Sequence, residues 1–330
     1  MADKFTHICL AGYGWSGSGA VLDLLNEFDG FGGSELEIRI FKDTHGVMDL
    51  EHALIEKWDA LNVDLAIRDF WKFAEEINPN PSRFRRGLMY DREFDGKFLE
   101  LTEQFVQDIT KYRYKSYWWM YDFRMSWWKL IARKIRNKIS PKLYFENMYF
   151  SDISEEEFYK AVKKYSEALA EATVKGKECN YIVWDQAIPP QHPDKTFDYF
   201  NNSKIIIVDR DPRDIYVELV ELKKFVGMDI AETHAVEKYI KMHKKYRERV
   251  CEDNEKVLRI AFEDLIFNYE ESVQTIMRFI GAENLPHIRK RELFNPDVSI
   301  KNIGKYKTYP HQDEIKIIEQ ELGDYLYRNA

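Results

Sequence analysis

The sequence predicts an α/β fold: a central parallel sheet of about five strands between helices, with a helical insertion over residues 47–175 inside a single domain spanning 1–330. Two observations lead there. Short apolar runs bounded by polar or turn residues recur at both ends of the chain, as buried parallel strands require. The first of them passes through a Gly/Ser-rich loop straight into a segment with helical spacing.

Residues 5–12 form the first strand candidate, followed by the loop and by Ala20-Val21-Leu22-Asp23-Leu24-Leu25 as the start of a helix. Further strands are expected at 37–41, 181–184, 204–208 and 257–261. The insertion reads as helices at 50–58, 61–76, 98–111, the aromatic stretch beyond it, and 158–173. The last of these opens on a capping box, Ser154 to Glu157. Pro79-Asn80-Pro81 and Ser140-Pro141 punctuate the insertion, and late helices fit 269–280 and 313–327.

Composition narrows the class. The chain is 45% hydrophobic and 32% charged, which gives ample core and excludes disorder. No apolar run approaches the roughly 20 residues that cross a bilayer, and residues 1–5 carry no secretion signal. Cys9, Cys179 and Cys251 are too scattered for a disulfide framework or a zinc knuckle, so a reducing, cytoplasmic location is expected. His234 and His243, nine apart, lack the spacing of a metal pair, and no metal is expected.

Charge is unevenly placed. The net charge is −8, yet residues 111–142 hold ten basic residues and one acid, Asp122. That window stands at +9 and leaves the remainder at −17. It also holds four of the eight tryptophans. An acidic chain without a recognised binding motif excludes nucleic acid as a partner.

Two segments carry chemistry. In Gly12-Tyr13-Gly14-Trp15-Ser16-Gly17-Ser18-Gly19-Ala20, a glycine-rich turn between strand and helix aims backbone N–H groups at one point and suits phosphate or sulfate oxygens. The lysine that grips terminal phosphates in nucleotide hydrolases is absent, since Ser18-Gly19 follows Gly17. In Ile205-Ile206-Ile207-Val208-Asp209-Arg210-Asp211-Pro212-Arg213-Asp214, Arg210 stands just past a strand, at the rim where open α/β sheets bind ligands. The alternative is that Arg210 and Arg213 pair with the neighbouring aspartates. Pro212 fits the first turn of a helix.

Together with Leu258-Arg259-Ile260-Ala261-Phe262-Glu263-Asp264-Leu265 and Gly304-Lys305-Tyr306-Lys307, these segments resemble the landmarks of the PAPS-dependent sulfotransferases, in order and over nearly the whole chain. The resemblance implies a P-loop-like three-layer fold that binds 3′-phosphoadenosine 5′-phosphosulfate (PAPS) and releases PAP, without a metal. It assigns Gly14, Trp15, Ser16, Gly17, Ser18, Gly19 and Ala20 to the 5′-phosphosulfate, Arg210 to the 3′-phosphate, and Lys305 and Lys307 to the vicinity of the nucleotide. The expected function is transfer of a sulfuryl group to a hydroxyl of a carbohydrate or glycolipid.

Three positions depart from the family pattern. Trp15 replaces the basic residue before Ser-Gly, Glu218 stands where a serine usually meets the 3′-phosphate, and Asp185 replaces the lysine that usually ends the strand before Ala187-Ile188-Pro189. Removing a cation from the transferring group typically costs about 3–4 kcal/mol of transition-state stabilisation. Arg39, Lys42, Arg83, Arg85 and Arg86 are candidate replacements, and Trp15 can instead stack on a ring. Another nucleotide donor, or a non-catalytic nucleotide-binding module, is the alternative reading.

Sulfuryl transfer needs a general base. His45, beyond the strand expected at 37–41, and Asp185, beyond the next, are the two candidates. For 111–142 three readings stand: a cap whose rings pack inward, a surface for an acidic glycan, or peripheral contact with a membrane interface. Oligomeric state is not legible.

Overall fold

The computed structural model describes residues 4–82, 87–139, 145–223, 235–249 and 253–328. Arg83, Arg85, Arg86, the Ser140-Pro141 break, Lys142, His234 and Cys251 lie outside the described residues.

In chain order the regular elements are β1 (Thr6–Gly12), α1 (Ser18–Leu25), β2 (Phe31–Gly33), α2 (Val47–Glu51), a π-helical turn His52–Glu56, α3 (Ala60–Ile77), α4 (Tyr90–Glu93), α5 (Phe98–Asp108), β3 (Tyr112–Ser116), a 3₁₀ turn Trp119–Arg124, α6 (Trp127–Ile139), β4 (Glu146–Phe150) and α7 (Glu155–Val174). There follow β5 (Tyr181–Asp185), β6 (Ser203–Asp209), α8 (Pro212–Leu222), α9 (Ala235–Arg247), β7 (Val257–Ala261), α10 (Phe262–Phe267), α11 (Tyr269–Ile280), α12 (Pro296–Ser299) and α13 (Gln312–Glu321). The chain divides into two compact units: Met1–Lys42, Arg92–Asp95 and Ser166–Ala330 in one, Asp43–Asp91 and Gly96–Tyr165 in the other.

The first unit holds a five-stranded sheet in the order β2-β5-β1-β6-β7, every pair parallel. Cys9 on β1 lies opposite Trp184 on one side and Ile205 on the other. Side chains alternate between faces, and both faces are buried, which is why these strands read as unbroken apolar runs. Ile8, Leu10, Val183, Ile206 and Val208 pack with Leu22 and Leu25 of α1, Leu265 of α10 and Ile276 of α11. On the opposite face His7 is fully buried, accepting from Trp184 Nε1 at 2.9 Å while its Nε2 meets Glu167 at 2.8 Å. A second cluster joins Ile215 and Leu219 of α8, Tyr239 and Ile240 of α9, and Ile315 and Ile318 of α13. The parallel α/β architecture is the one expected.

The strand expected at 37–41 is not there. The edge strand is instead Phe31–Gly33, paired with Tyr181–Val183. Gly33 sits at φ 132°, where an added Cβ would lie 2.3 Å from the Val183 carbonyl oxygen, so only glycine brings the chain this close to β5. Ile38, Ile40 and Phe41 are fully buried but irregular; Ile38 N–H donates to the Asp185 carbonyl at 2.8 Å.

In the second unit Phe70 of α3 meets Phe105 of α5, which stacks on Tyr165. The insertion was expected to be helical throughout, and it is not: β3 and β4 pair antiparallel, Tyr112 opposite Phe150. Tyr112-Arg113-Tyr114-Lys115 alternates with period two, and Tyr112 stacks on Phe150 with centroids 4.8 Å apart. Asp64, buried on α3, ties the hairpin down: it accepts from Tyr149 N–H at 2.7 Å, from Arg68 at 2.8 Å and from the Tyr121 hydroxyl. The capping box of α7 forms as expected, Ser154 N–H donating to Glu157 at 2.9 Å and Glu157 N–H to Ser154 Oγ at 3.2 Å. No helix among the described residues is long and apolar enough to cross a membrane.

Candidate active site

The carboxyl ends of parallel strands gather the residues singled out above. β1 ends at Gly12, and the chain turns through left-handed residues at Gly14 (φ 83°), Trp15 (φ 51°) and Gly17 (φ 96°) before α1 begins at Ser18. The turn is tightly built. A Cβ on Gly12 would fall 2.2 Å from Ser16 Oγ, and one on Gly17 would fall 2.5 Å from the Phe262 ring. Trp15 holds a left-handed conformation that disfavours a side chain by about 1–2 kcal/mol. Its carbonyl accepts from Arg210 Nη1 at 2.9 Å, which fixes that conformation from outside the loop.

Helix α1 has no side-chain cap and no acid in its first turn. The N–H groups of Ser18 and Gly19, at its first two positions, therefore present the positive end of the helix dipole. Ala20 does not join them: its N–H closes the first turn on the Gly17 carbonyl at 3.0 Å. Ser16 is buried, and its hydroxyl has no hydrogen-bond partner among the described residues. Trp15 is partly exposed.

Asp185, the last residue of β5, joins this loop directly. Its carboxylate is hydrogen-bonded to Ser18, whose Oγ accepts from Gln186 Nε2 at 2.9 Å. Gln186 Oε1 in turn accepts from Lys42 Nζ at 2.6 Å. Asp185 is 7% exposed and its Oδ1 has no partner among the described residues. Burial pushes its pKa up to about 6; the Ser18 hydrogen bond opposes this, Glu37 adds to it, and Lys42 opposes it. A buried carboxylate with one unpartnered oxygen and this pKa can hold a proton near neutral pH.

His45 is placed differently. The expected strand before it is absent, β2 ending at Gly33, and His45 belongs to the second unit. There its N–H donates to Asp49 at 2.6 Å and its half-exposed ring lies 4.0 Å from Asp69. Arg39, a candidate replacement cation, donates to Glu37 at 2.9 Å.

Arg210 lies just past β6 with its side chain 4% exposed. The neighbouring aspartates do not take it. It donates to Glu218 on α8 at 2.7 Å and to the carbonyls of Trp15 and Asn302 at 2.9 and 2.7 Å, above the Phe262 ring. Arg213 does pair locally, with Asp211 at 2.7 Å, and also with Glu319. Pro212 occupies the first turn of α8 behind an Asp211 cap, as expected. Glu218, about two turns beyond Asp211 on the same side of α8, also has Lys305 Nζ at 3.9 Å, and Lys305 reaches Glu221 at 3.3 Å. The Gly304–Tyr306 turn that carries Lys305 is held by buried Asp214, which accepts from the N–H groups of Gly304 and Tyr306 at 2.8 and 3.2 Å. Lys307 is exposed.

Sequence reasoning gave no role to a neighbouring group. Arg247 of α9 pairs with Asp209 through both terminal nitrogens and lies 3.8 Å from the centroid of the Tyr13 ring. Arg259 of β7 reaches the Tyr13 hydroxyl at 3.2 Å and Asp209 at 3.4 Å. The glycine loop is thus gripped from β6, β7 and α9. Next to it a cavity of about 240 Å³ is lined by Asp209, Arg210, Arg247, Glu263 and Tyr325 among others. Glu263 is 1% exposed, accepts from Asp211 N–H at 2.9 Å, and is pushed by burial up to about 7. A larger cavity of about 830 Å³ lies elsewhere, among Leu22, Asn26, Gly32 and Cys179, away from the loop.

Among solved structures, the sulfotransferase domain of the Synechococcus PCC 7002 olefin synthase is 12% identical, with 99% of this chain and 96% of that chain covered and a TM-score of 0.44. The sulfotransferase domain of the curacin biosynthetic pathway is 13% identical, covering 97% of each chain with a TM-score of 0.42. A Mycobacterium avium sulfotransferase is 10% identical over 98% of this chain and 76% of that one, with a TM-score of 0.40. No curated protein matches the chain. The sequence profile of the sulfotransferase family matches residues 98–286, more than half of the 330 residues, and this chain belongs to the sulfotransferase family.

Proposed function

We propose that the protein transfers the sulfuryl group of PAPS to a hydroxyl of a carbohydrate or glycolipid acceptor. The observation that carries this reading is the joining of an anion-accepting loop to a buried carboxylate: Ser18 opens α1 and is hydrogen-bonded to Asp185, whose Oδ1 has no partner among the described residues. In the proposed step the acceptor hydroxyl oxygen attacks sulfur in line with the bond to the 5′-phosphate. That S–O bond breaks, PAP leaves with the electron pair, and the hydroxyl proton passes to the Asp185 carboxylate. The N–H groups of Ser18 and Gly19 hold the sulfuryl oxygens, and Lys42, bonded to Gln186 at 2.6 Å, supplies a cation beside the same loop.

The partners of Arg210 favour a second reading, a group-transfer enzyme whose nucleotide donor lacks a 3′-phosphate. Glu218 already fills one side of the guanidinium at 2.7 Å. The test is turnover with radiolabelled PAPS across a panel of neutral and acidic glycans and glycolipids, by the parent chain and by Asp185→Asn. The proposal predicts labelled product from the parent and a loss of about 10²-fold or more in the variant. Labelled product at equal rates from both would remove Asp185 from the mechanism, and no product from the folded parent on any acceptor would favour the second reading.

A further inference from the structure

Helix α6 reads Trp127-Trp128-Lys129-Leu130-Ile131-Ala132-Arg133-Lys134-Ile135-Arg136-Asn137-Lys138-Ile139 and contains no acid. Its inward face is set by Leu130, Arg133 and Asn137, none of them exposed. Arg133 fixes the rotation of the helix. Its side chain is 5% exposed, lies 4.2 Å from the centroid of the Tyr117 ring, and reaches Asp122 at 3.4 Å and Glu146 at 3.6 Å.

The opposite face is apolar and in solvent. Trp128, Ile131, Ile135 and Ile139 are 65%, 46%, 56% and 78% exposed. At about 100° per residue these four fall within an arc of roughly 80°, facing away from Leu130, Arg133 and Asn137. The preceding turn continues the surface with Trp119 and with Phe123, 75% exposed, and the Trp127 and Trp128 rings stack on each other. One reading of the sequence expected the aromatic side chains of this segment to pack inward; these four do not. Lys129 and Arg136 border the stripe on one side, and Lys134 and Lys138 on the other, all exposed.

The composition selects the occupant. A glycan can use rings and cations but has no use for Ile131, Ile135 and Ile139. A second copy that set its own stripe against this one would bring two acid-free rows of cations together, which like-charge repulsion opposes. An anionic bilayer satisfies all three features at once: isoleucines among acyl chains, tryptophans at headgroup level, and lysines and arginine against lipid phosphates and carboxylates. We propose that α6, with the Trp119–Arg124 turn, is an interfacial helix that seats this protein on an anionic lipid surface. This surface does not depend on the reaction assigned to the loop.

The test is flotation of the full chain with phosphatidylcholine vesicles, with and without phosphatidylserine at roughly one lipid in three. Partitioning is expected onto the anionic vesicles and to fall as salt is raised. Ile131→Ser/Ile135→Ser and, separately, Lys134→Glu/Arg136→Glu are each expected to weaken it by about tenfold or more. All four side chains are exposed, and unchanged melting temperatures would verify that both variants fold. Failure to float on anionic vesicles, equal flotation on neutral ones, or a dimer that the isoleucine substitutions dissolve without any vesicle binding would overturn the proposal.

Discussion

Replacing Glu218 by serine isolates the contact on which donor choice turns. Glu218 Oε2 lies 2.7 Å from Arg210 Nη1 and 3.9 Å from Lys305 Nζ, so a carboxylate already sits between the two cations that the family resemblance gives to the nucleotide. A 3′-phosphate on Arg210 would have this carboxylate within about 4 Å, where two like charges repel by about 4 kcal/mol at an effective dielectric of 20. Glu218 is 22% exposed, so solvent screens part of this, and about 1.4–2.8 kcal/mol is the expected gain on its removal. Glu218→Ser should therefore tighten PAP binding by about ten- to a hundredfold and leave ADP, which has no 3′-phosphate, within about twofold. The substitution also strips Arg210 of its hydrogen-bonded carboxylate, so the free variant should melt lower and PAP, not ADP, should restore it. Calorimetric titration and thermal melts with both nucleotides provide the assay. Equal changes for PAP and ADP, or none for PAP, would refute the placement of the 3′-phosphate at Arg210.

Three further outcomes follow from the same geometry. Gly17→Ala places a Cβ 2.5 Å from the Phe262 ring at φ 96° and should lower stability by about 2–4 kcal/mol in a denaturant titration, together with nucleotide binding; a loss under about 0.5 kcal/mol would mean that the loop relaxes freely. Asp185, with its pKa pushed up to about 6, should give a kcat/KM that rises with pH to a plateau, with a midpoint near 6, and a profile flat between about pH 5 and 7 would exclude it as the base. Glu263 has a folded pKa near 7, above its unfolded value near 4.5, so the folded state holds the proton more tightly and this contribution is lost as pH rises through that window. Glu263→Gln should accordingly gain stability over the parent at pH 8 relative to pH 5, and an equal difference at both would contradict the shift.

The parallel strands β1, β5, β6 and β7 were legible because burial on both faces leaves continuous apolar runs, and α1, α7 and α8 because glycine, a capping box and Pro212 mark their starts. β2 was not legible. Phe31-Gly32-Gly33 has almost no strand propensity, and its place is set by the close approach of Gly33 to Val183, while buried Ile38, Ile40 and Phe41 imitate a strand without any ladder. β3 was hidden by its basic residues, although its tyrosines alternate. At the site, Asp185 and the glycine loop could be read from their positions at strand ends. Arg247 could not, because its partners Asp209 and Tyr13 are far away in sequence and a basic helix offers no periodic signal for one inward arginine.

The most direct measurement is calorimetric titration of the purified chain with PAP beside ADP and ATP, repeated on Arg210→Ala. The account predicts micromolar PAP binding that requires both the 3′-phosphate and Arg210, about tenfold or more tighter than ADP. ADP or ATP binding as tightly as PAP, or no PAP binding by a chain that melts cooperatively, would contradict the assignment of PAPS as donor.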